Sequence, residues 1–499
     1  MGSVSARIAR NTAWFTVGSI LQKMISFAYF TVIAMVFGVE GTGRYFFALA
    51  FTALFAVAVD WGVSPVITRE VAKDRVRGVS YVLTSALMKC VLAVAVALCM
   101  AVIVRAIGYD ASTQSMIALA VGVMLIDTVH LSAYAILRGI QRVKYEAIGL
   151  VVTQFTLAAS GIGILVLRAG LHTQPDTIPL LAVTTAIKPI WLLVPYVAAS
   201  SVNLLVAVFG CLRERVFDGA RQTISRASLT FVVRTSTPFA ISSCLARLYT
   251  YSDTFLLSIL ATGLAVGYYS TPFKIAFAFQ FIPLAFMGAL YPAMSAIAVL
   301  DVERLRVIFV QALRVLWVVA LPLAFGIGVL AREIILMVYG EAFLPSAMPL
   351  ILLMAAIPFI YANFPAGNLL NACDRQLVNT KLLAIATTVN VIANILLIPP
   401  LGAVGAALSA LIASLTLFTA NCVAVRRIVH YRIHALVDPF IRVLVAALCM
   451  SAIVIALHEL TLFIRIGVGV VVYAVALLLV QAVRRSDLVQ LRSFFRSEA

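Results

Sequence analysis

The sequence predicts an all-α polytopic membrane protein with about fourteen spanning helices, twelve of them forming two related six-helix halves. Three observations carry this expectation. Of 499 residues, 63% are hydrophobic and only 11% charged, a composition that a soluble domain does not have. The apolar residues fall into runs long enough to cross a bilayer, joined by short polar connections. Finally, the stretch from Ala9 to Phe47 returns in outline 224 positions later.

The repeat is read residue by residue. Arg10 lands on Arg234, Phe15 on Phe239, Ser19 on Ser243, Leu21 on Leu245, Gly43 on Gly267 and Tyr45 on Tyr269. Lys23, in the middle of the first apolar run, lands on Arg247. Two halves that each open with a membrane helix carrying a central cation suggest a transporter built from repeats. The expected divisions are an N-terminal lobe at 1–211, a linker at 212–234, a C-terminal lobe at 235–425, and two further helices with a tail at 426–499.

In chain order the spans are expected near 12–36, 45–66, 80–105, 115–137, 147–167, 184–211, 235–260 and 265–291. The rest are expected near 312–331, 346–370, 379–399, 402–425, 437–458 and 463–483. The first run follows Arg7 and Arg10 but is too long for a signal-peptide core, so it stays as the first span. Met1-Gly2 is followed by Ala6 where a myristoylation motif needs Ser or Thr. Pro283 should interrupt the eighth span, and Pro322 sits within the ninth. Pro358, Pro365 and Gly367 predict a kink in the tenth. Cys90, Cys99, Cys211, Cys244, Cys422 and Cys449 lie in or beside apolar runs and Cys373 in a short loop, so no disulfide framework is expected.

The net charge of +17 could suggest nucleic acid. Its distribution says otherwise. With the N-terminus inside, 27 of the 37 Lys and Arg fall on inner segments and 5 on outer ones. That asymmetry places both termini in the cytoplasm and accounts for the basic character without a nucleic-acid partner.

The remaining five cations, Lys23, Lys89, Lys188, Arg247 and Lys274, fall inside spans. A charge at the bilayer centre costs about 2.5–3.5 kcal/mol even on the lower scales, so each needs a reason. Lys89 and Lys188 lie nearer helix ends and are expected to snorkel. Lys23, Arg247 and Lys274 are expected to line a watery cavity rather than to make structural ion pairs. Asp127 and His130, three apart in the fourth span, share a helix face. They could carry a proton or simply bond between helices. Asp253 lies six positions beyond Arg247, about 600° around, and faces away from it. Asp60 should anchor the interface or pair with a nearby basic loop. Asn363, Asn368, Asn371, Asn390 and Asn394 are expected to bond across helices.

Catalytic signals are weak, and no catalytic residue, metal or cofactor is expected. The sequence contains no Gly-rich phosphate loop ending in Gly-Lys-Ser/Thr, no Gly-x-Ser-x-Gly elbow and no His-Glu-x-x-His pair. His430 and His434 are spaced i,i+4 in an Arg-rich loop that reads as a solvated basic face.

The run Gly43-Arg44-Tyr45-Phe46-Phe47-Ala48, then Asp60-Trp61-Gly62-Val63-Ser64-Pro65 and Arg69-Glu70-Val71-Ala72, resembles the polysaccharide-transport flippases. So does Asn390 to Pro399 followed by Gly402-Ala403-Val404-Gly405-Ala406-Ala407. These are the Wzx-like branch of the multidrug/oligosaccharidyl-lipid/polysaccharide (MOP) superfamily. The resemblance implies two lobes around a V-shaped cavity, as in the MATE-like fold, with the last two helices outside the repeat. It also implies transfer of a lipid-linked oligosaccharide from the cytoplasmic to the periplasmic leaflet of the inner (plasma) membrane. Glycosyltransferases and a glycan polymerase of the same pathway would be partners, with membrane lipids as surroundings.

The family motifs assign no site residues; those come from the membrane charges. Lys23, Arg247 and Lys274 suit an undecaprenyl diphosphate, and Asp127, His130 and Asp253 are the candidates for ion or proton coupling. The alternative is a cation-coupled drug exporter of the same fold, whose organic cations Lys23 and Arg247 would repel. A polymerase or transferase would normally carry a sizeable outer loop, but the segments Arg168–Thr185 and Arg332–Pro345 are short.

Overall fold

A computed structural model describes residues 2–172, 189–218, 225–298 and 300–482. Every regular element among them is helical. Thirteen helices are long and apolar enough to cross a membrane. The first apolar stretch, Val17–Asp60, has 44 residues. At 1.5 Å per residue it is about 66 Å long, twice a bilayer core. It lies in α1 (Gly2–Asp60), which breaks at Gly38, where φ is 64° and ψ −167°. Only glycine adopts that conformation readily, so α1 makes two crossings and the described residues carry fourteen.

Residues 1–271 form one compact unit and 272–499 another. In the first, α1 is followed by two short helices, α2 (Val63–Lys73) and α3 (Arg75–Ser80). Three spans follow: α4 (Val82–Ile107), α5 (Ala111–Gly139) and α6 (Lys144–His172). Next come α7 (Val194–Arg213) and α8 (Arg226–Leu260), and α9 (Gly263–Ala278) begins before the division. α2 is amphipathic. It buries Val63, Ile67 and Val71 beside Tyr134, Ile136 and Leu137 of α5, and its Glu70 pairs with Arg69 and Lys73. Arg75 bonds the carbonyls of Glu214 and Arg215, while Arg142 pairs with Glu214 at 3.0 Å. These contacts gather the basic clusters of α2, α3, the α5–α6 turn and the end of α7 at one end of the unit, here the basic end.

At the opposite end the repeat becomes visible as geometry. A Cβ built on Gly43 would meet the carbonyl of Gly263 at 2.5 Å and the amide nitrogen of Gly267 at 2.8 Å. A Cβ on Gly267 would in turn strike the carbonyl of Val39. Gly43 and Gly267 are 224 positions apart, and so are Val39 and Gly263. Contacts that reciprocate in this way are the signature of a twofold. The crossing of α1 and α9 thus joins equivalent positions of the repeat, with glycine on both helices.

The second unit holds the rest of α9, α10 (Phe281–Ile297), α11 (Val302–Val329) and α12 (Ala331–Tyr339). It continues with α13 (Ala347–Ala372), α14 (Gln376–Leu401) and α15 (Ala403–Val429). Its core sets Phe309, Leu313 and Trp317 of α11 among Leu369, Val425 and Val443. The eighth span breaks between α9 and α10, as Pro283 predicts. Pro283 has no N–H to give Phe279, four residues back. The Phe279 carbonyl accepts instead from the Tyr361 hydroxyl at 2.6 Å and from the Ile282 amide at 3.2 Å. α13 runs as one helix through Pro358 and Pro365.

The last two spans, α16 (His434–Ala456) and α17 (Leu462–Leu479), are tied down by polar bonds. Tyr473 donates to the Val318 carbonyl at 2.7 Å, and Arg465, only 5% exposed, pairs with Glu333 at 2.9 Å.

Candidate functional site

The candidate site is the set of polar groups inside the spans, and it corrects two expectations. Lys89 does not snorkel. It is 3% exposed, and its ammonium donates to Asp60 Oδ1 at 2.6 Å, Ser132 Oγ at 2.8 Å and Ser64 Oγ at 3.4 Å. Three donors meet three acceptors, which removes the reason to reach for water. Asp60 accordingly pairs not with a basic loop but with Lys89 of α4. The same carboxylate accepts from Ser64 Oγ at 2.5 Å and from the Ser64 amide at 3.4 Å, so it also caps the start of α2. Lys188 lies outside the described residues.

Asp127 and His130 are brought together as their spacing predicts, with Asp127 Oδ1 and His130 Nδ1 3.5 Å apart. Both then bond α7. The Ser200 hydroxyl donates to Asp127 Oδ1 at 2.6 Å. Asn203 Oδ1 accepts from the Tyr134 hydroxyl at 2.6 Å, which turns its amide N–H toward His130 Nε2 at 3.2 Å. With Nε2 as the acceptor the ring proton is assigned to Nδ1, which lies 3.5 Å from the carboxylate but makes no hydrogen bond. The same face of α7 carries Tyr196, whose hydroxyl bonds that of Tyr45 at 2.6 Å. A polar chain thus links α1, α5 and α7.

Lys23 and Arg247 sit on α1 and α8, which pack against each other. Lys23 is half-buried; Arg247 is exposed, with its guanidinium 5.9 Å from the centre of the Tyr251 ring. Lys274 is half-buried and belongs to the second unit. Asp253 is 3% exposed and accepts from the Tyr269 hydroxyl at 2.8 Å. Its bond joins α8 to α9, whereas Asp127 and His130 bond α7.

The amides divide. Asn421 of α15 donates to Asn363 of α13 at 2.9 Å, and Asn379 of α14 to Asn371 of α13 at 3.3 Å, both across helices as expected. Asn394 donates to Asn390 along its own helix at 3.1 Å, and Asn368 to the Phe364 carbonyl within α13 at 2.8 Å. Among the described residues no cluster of His, Cys, Asp or Glu could hold a metal, and all seven cysteines are free.

Sequence reasoning missed Ser64, Ser132, Tyr196, Ser200, Asn203 and Asn421. Their signal was present as neutral polar residues within apolar runs, but a search keyed to charge passes over them.

Comparison with known proteins follows the same lines. Residues 8–298 match the family described as "Polysaccharide biosynthesis protein". A protein of Haloferax volcanii named "Probable low-salt glycan biosynthesis flippase" is 22% identical over 500 residues, covering 96% of this chain and 97% of its own. A structure described as "Lipid II flippase MurJ, inward closed conformation" superposes with a TM-score of 0.72 at 15% identity, covering 93% of this chain and 97% of that one. An inward-facing MATE family transporter of the MOP superfamily gives 0.64 at 14% identity, covering 82% and 94%. The chain has the fold these transporters share.

Proposed function

We propose that this chain, which belongs to the polysaccharide biosynthesis protein family, is a flippase for a lipid-linked oligosaccharide. The substrate is an undecaprenyl-diphosphate-linked glycan, carried from the cytoplasmic to the periplasmic leaflet of the inner membrane by alternating access. Both termini then face the cytoplasm, in keeping with the positive-inside rule. Glycosyltransferases of the pathway supply the substrate, and a polymerase receives it.

The observation that carries this reading is the repeated cation. Lys23 and Arg247 occupy equivalent positions in the two repeats, on helices that pack together, and a charge there is costly unless an anion or water meets it. A diphosphate is such an anion. Lys23 and Arg247 hold it, Arg247 through its bidentate fork. The glycan takes the polar interior, and the prenyl chain stays in lipid. Organic cations would be repelled by the same charges, which speaks against the drug-exporter alternative.

Asp127 and His130 are the candidates for proton coupling, since they lie 3.5 Å apart and Asn203 holds the imidazole through Nε2. Asp253, held by Tyr269, is the third candidate.

The test is reconstitution. Proteoliposomes carrying the protein should expose a fluorescent undecaprenyl-diphosphate oligosaccharide to an outside glycosidase or quencher faster than protein-free vesicles do. Equal exposure in the two would reject the reading.

A further inference from the structure

The Asp60–Lys89 pair stands where one break in the chain meets the other repeat. Asp60 ends α1, and the next two residues, Trp61 and Gly62, are both left-handed, with φ of 46° and 67°. α2 then starts at Val63, its first turn capped by the Asp60 carboxylate. A left-handed tryptophan persists only where its surroundings hold it. Gly62 faces α8 so closely that a Cβ there would lie 2.6 Å from both the Ala240 amide nitrogen and the Ser236 carbonyl oxygen. Nearby, Tyr81 at the head of α4 stacks on Phe231 of α8, with ring centres 4.9 Å apart. One carboxylate therefore fixes the turn whose glycine closes against the first helix of the second repeat, and one buried ammonium fixes that carboxylate.

The two partners are unequally placed. The Lys89 side chain is 4% exposed, against 23% for Asp60. Loss of the carboxylate charge would leave a buried ammonium without its counter-ion, so the α1–α4 contact cannot survive it unchanged.

We propose that Asp60 and Lys89 form a charge latch that holds the basic end shut by fixing the Trp61–Gly62 turn against α8, and that the pair parts when this end opens. The use of such a latch in transport rests on the alternating-access reading above; the latch itself is read without transport.

The experiment starts from a cysteine-free background carrying Tyr81→Cys and Phe231→Cys, crosslinked in native membranes with a short bifunctional maleimide. With the latch intact this pair should crosslink readily. Asp60→Asn and Lys89→Met should each slow crosslinking by about tenfold or more, the shift expected from losing one charge-assisted bond. Asp60→Lys combined with Lys89→Asp should restore most of it. Ser132→Ala and Ser64→Ala leave both charges in place and guard against misfolding of the charge variants; each should slow crosslinking several-fold at normal protein levels. Crosslinking at the parent rate in Asp60→Asn, Lys89→Met and both serine variants overturns the latch, whatever happens to flipping. Failure of the parent protein to flip the lipid-linked oligosaccharide would reject the flippase reading and leave the crosslinking result intact.

Discussion

Gly43 and Gly267, equivalent residues of the two repeats, touch through their backbones, with 2.8 Å between a Cβ built on Gly43 and the Gly267 amide nitrogen. Gly43 also reaches Gly263, and Gly267 reaches Val39, 224 positions before Gly263, so the contact is reciprocal between equivalent positions. Helices that meet without side chains can close tightly, and any side chain there must act as a wedge.

Gly43→Val is therefore expected to hold this end apart. Overpacking of this kind costs about 1–3 kcal/mol, enough to move an open–closed balance by roughly tenfold. Maleimide labelling of Ser258→Cys reports it, since Ser258 bonds Tyr109 at 2.8 Å at the same end. Labelling should rise in the Gly43→Val background; an unchanged rate would show that the crossing tolerates a side chain.

Tyr361 replaces the donor that Pro283 lacks. Tyr361→Phe should destabilise the protein by about 0.6–2 kcal/mol, the range for hydrogen bonds between membrane helices. Pro283→Ala returns an N–H to Phe279, so the same substitution should cost less in that background. Thermal unfolding in detergent of the four proteins of this cycle measures the difference. Equal losses in both backgrounds would dissociate Tyr361 from the proline break.

Asp127 and His130 are expected to make flipping respond to a pH gradient. Asp127→Asn keeps the shape but removes the acid, and it should abolish the response of the flipping rate to an imposed gradient. Asn203→Leu, which removes the group holding His130 Nε2, should weaken the response without removing it. An unaltered gradient response in Asp127→Asn would clear the pair of this role.

Near the crossing of α1 and α9, Asp110 caps α5 by accepting from the Thr113 amide and hydroxyl, and Arg44 lies 3.7 Å away. Burial alone would raise its carboxyl, but the bonds from Thr113 and the Arg44 charge outweigh it and hold the group below its ordinary value. A carboxyl lowered on folding stabilises above its unfolded value, about 3.9, and that contribution is lost as pH falls through the folded value. Asp110→Ala should cost about 0.5–2 kcal/mol at pH 7, as caps do, and progressively less below about pH 4. A cost that stays constant down to pH 3 would show that charge has no part in it.

Much of this fold is legible in the sequence because a bilayer leaves the chain few options. Apolar length sets the spans, and the 224-residue offset pairs Gly43 with Gly267, which the fold brings into contact. What the sequence hides is pairing at a distance. Asp60 and Lys89 are 29 positions apart with no periodic relation, so each was read against its own helix end instead of against the other. The chain through Ser200 and Asn203 was hidden differently, because neutral polar residues in apolar runs look alike until a carboxylate or imidazole faces them. The Tyr361 bond could have been anticipated only in part: Pro283 announces a carbonyl in need of a donor, but not which helix supplies it.

The repeated cations are the centre of the functional account, and the flipping rate of reconstituted Lys23→Ala and Arg247→Ala tests them most directly. At equal protein incorporation, each should flip undecaprenyl-diphosphate oligosaccharide at least about tenfold more slowly than the parent, since a charge-assisted bond contributes about 1.5–3 kcal/mol. Arg247→Lys should fall between, keeping the charge and losing the fork. If Lys23→Ala and Arg247→Ala both flip at the parent rate, the cationic binding of the diphosphate is contradicted.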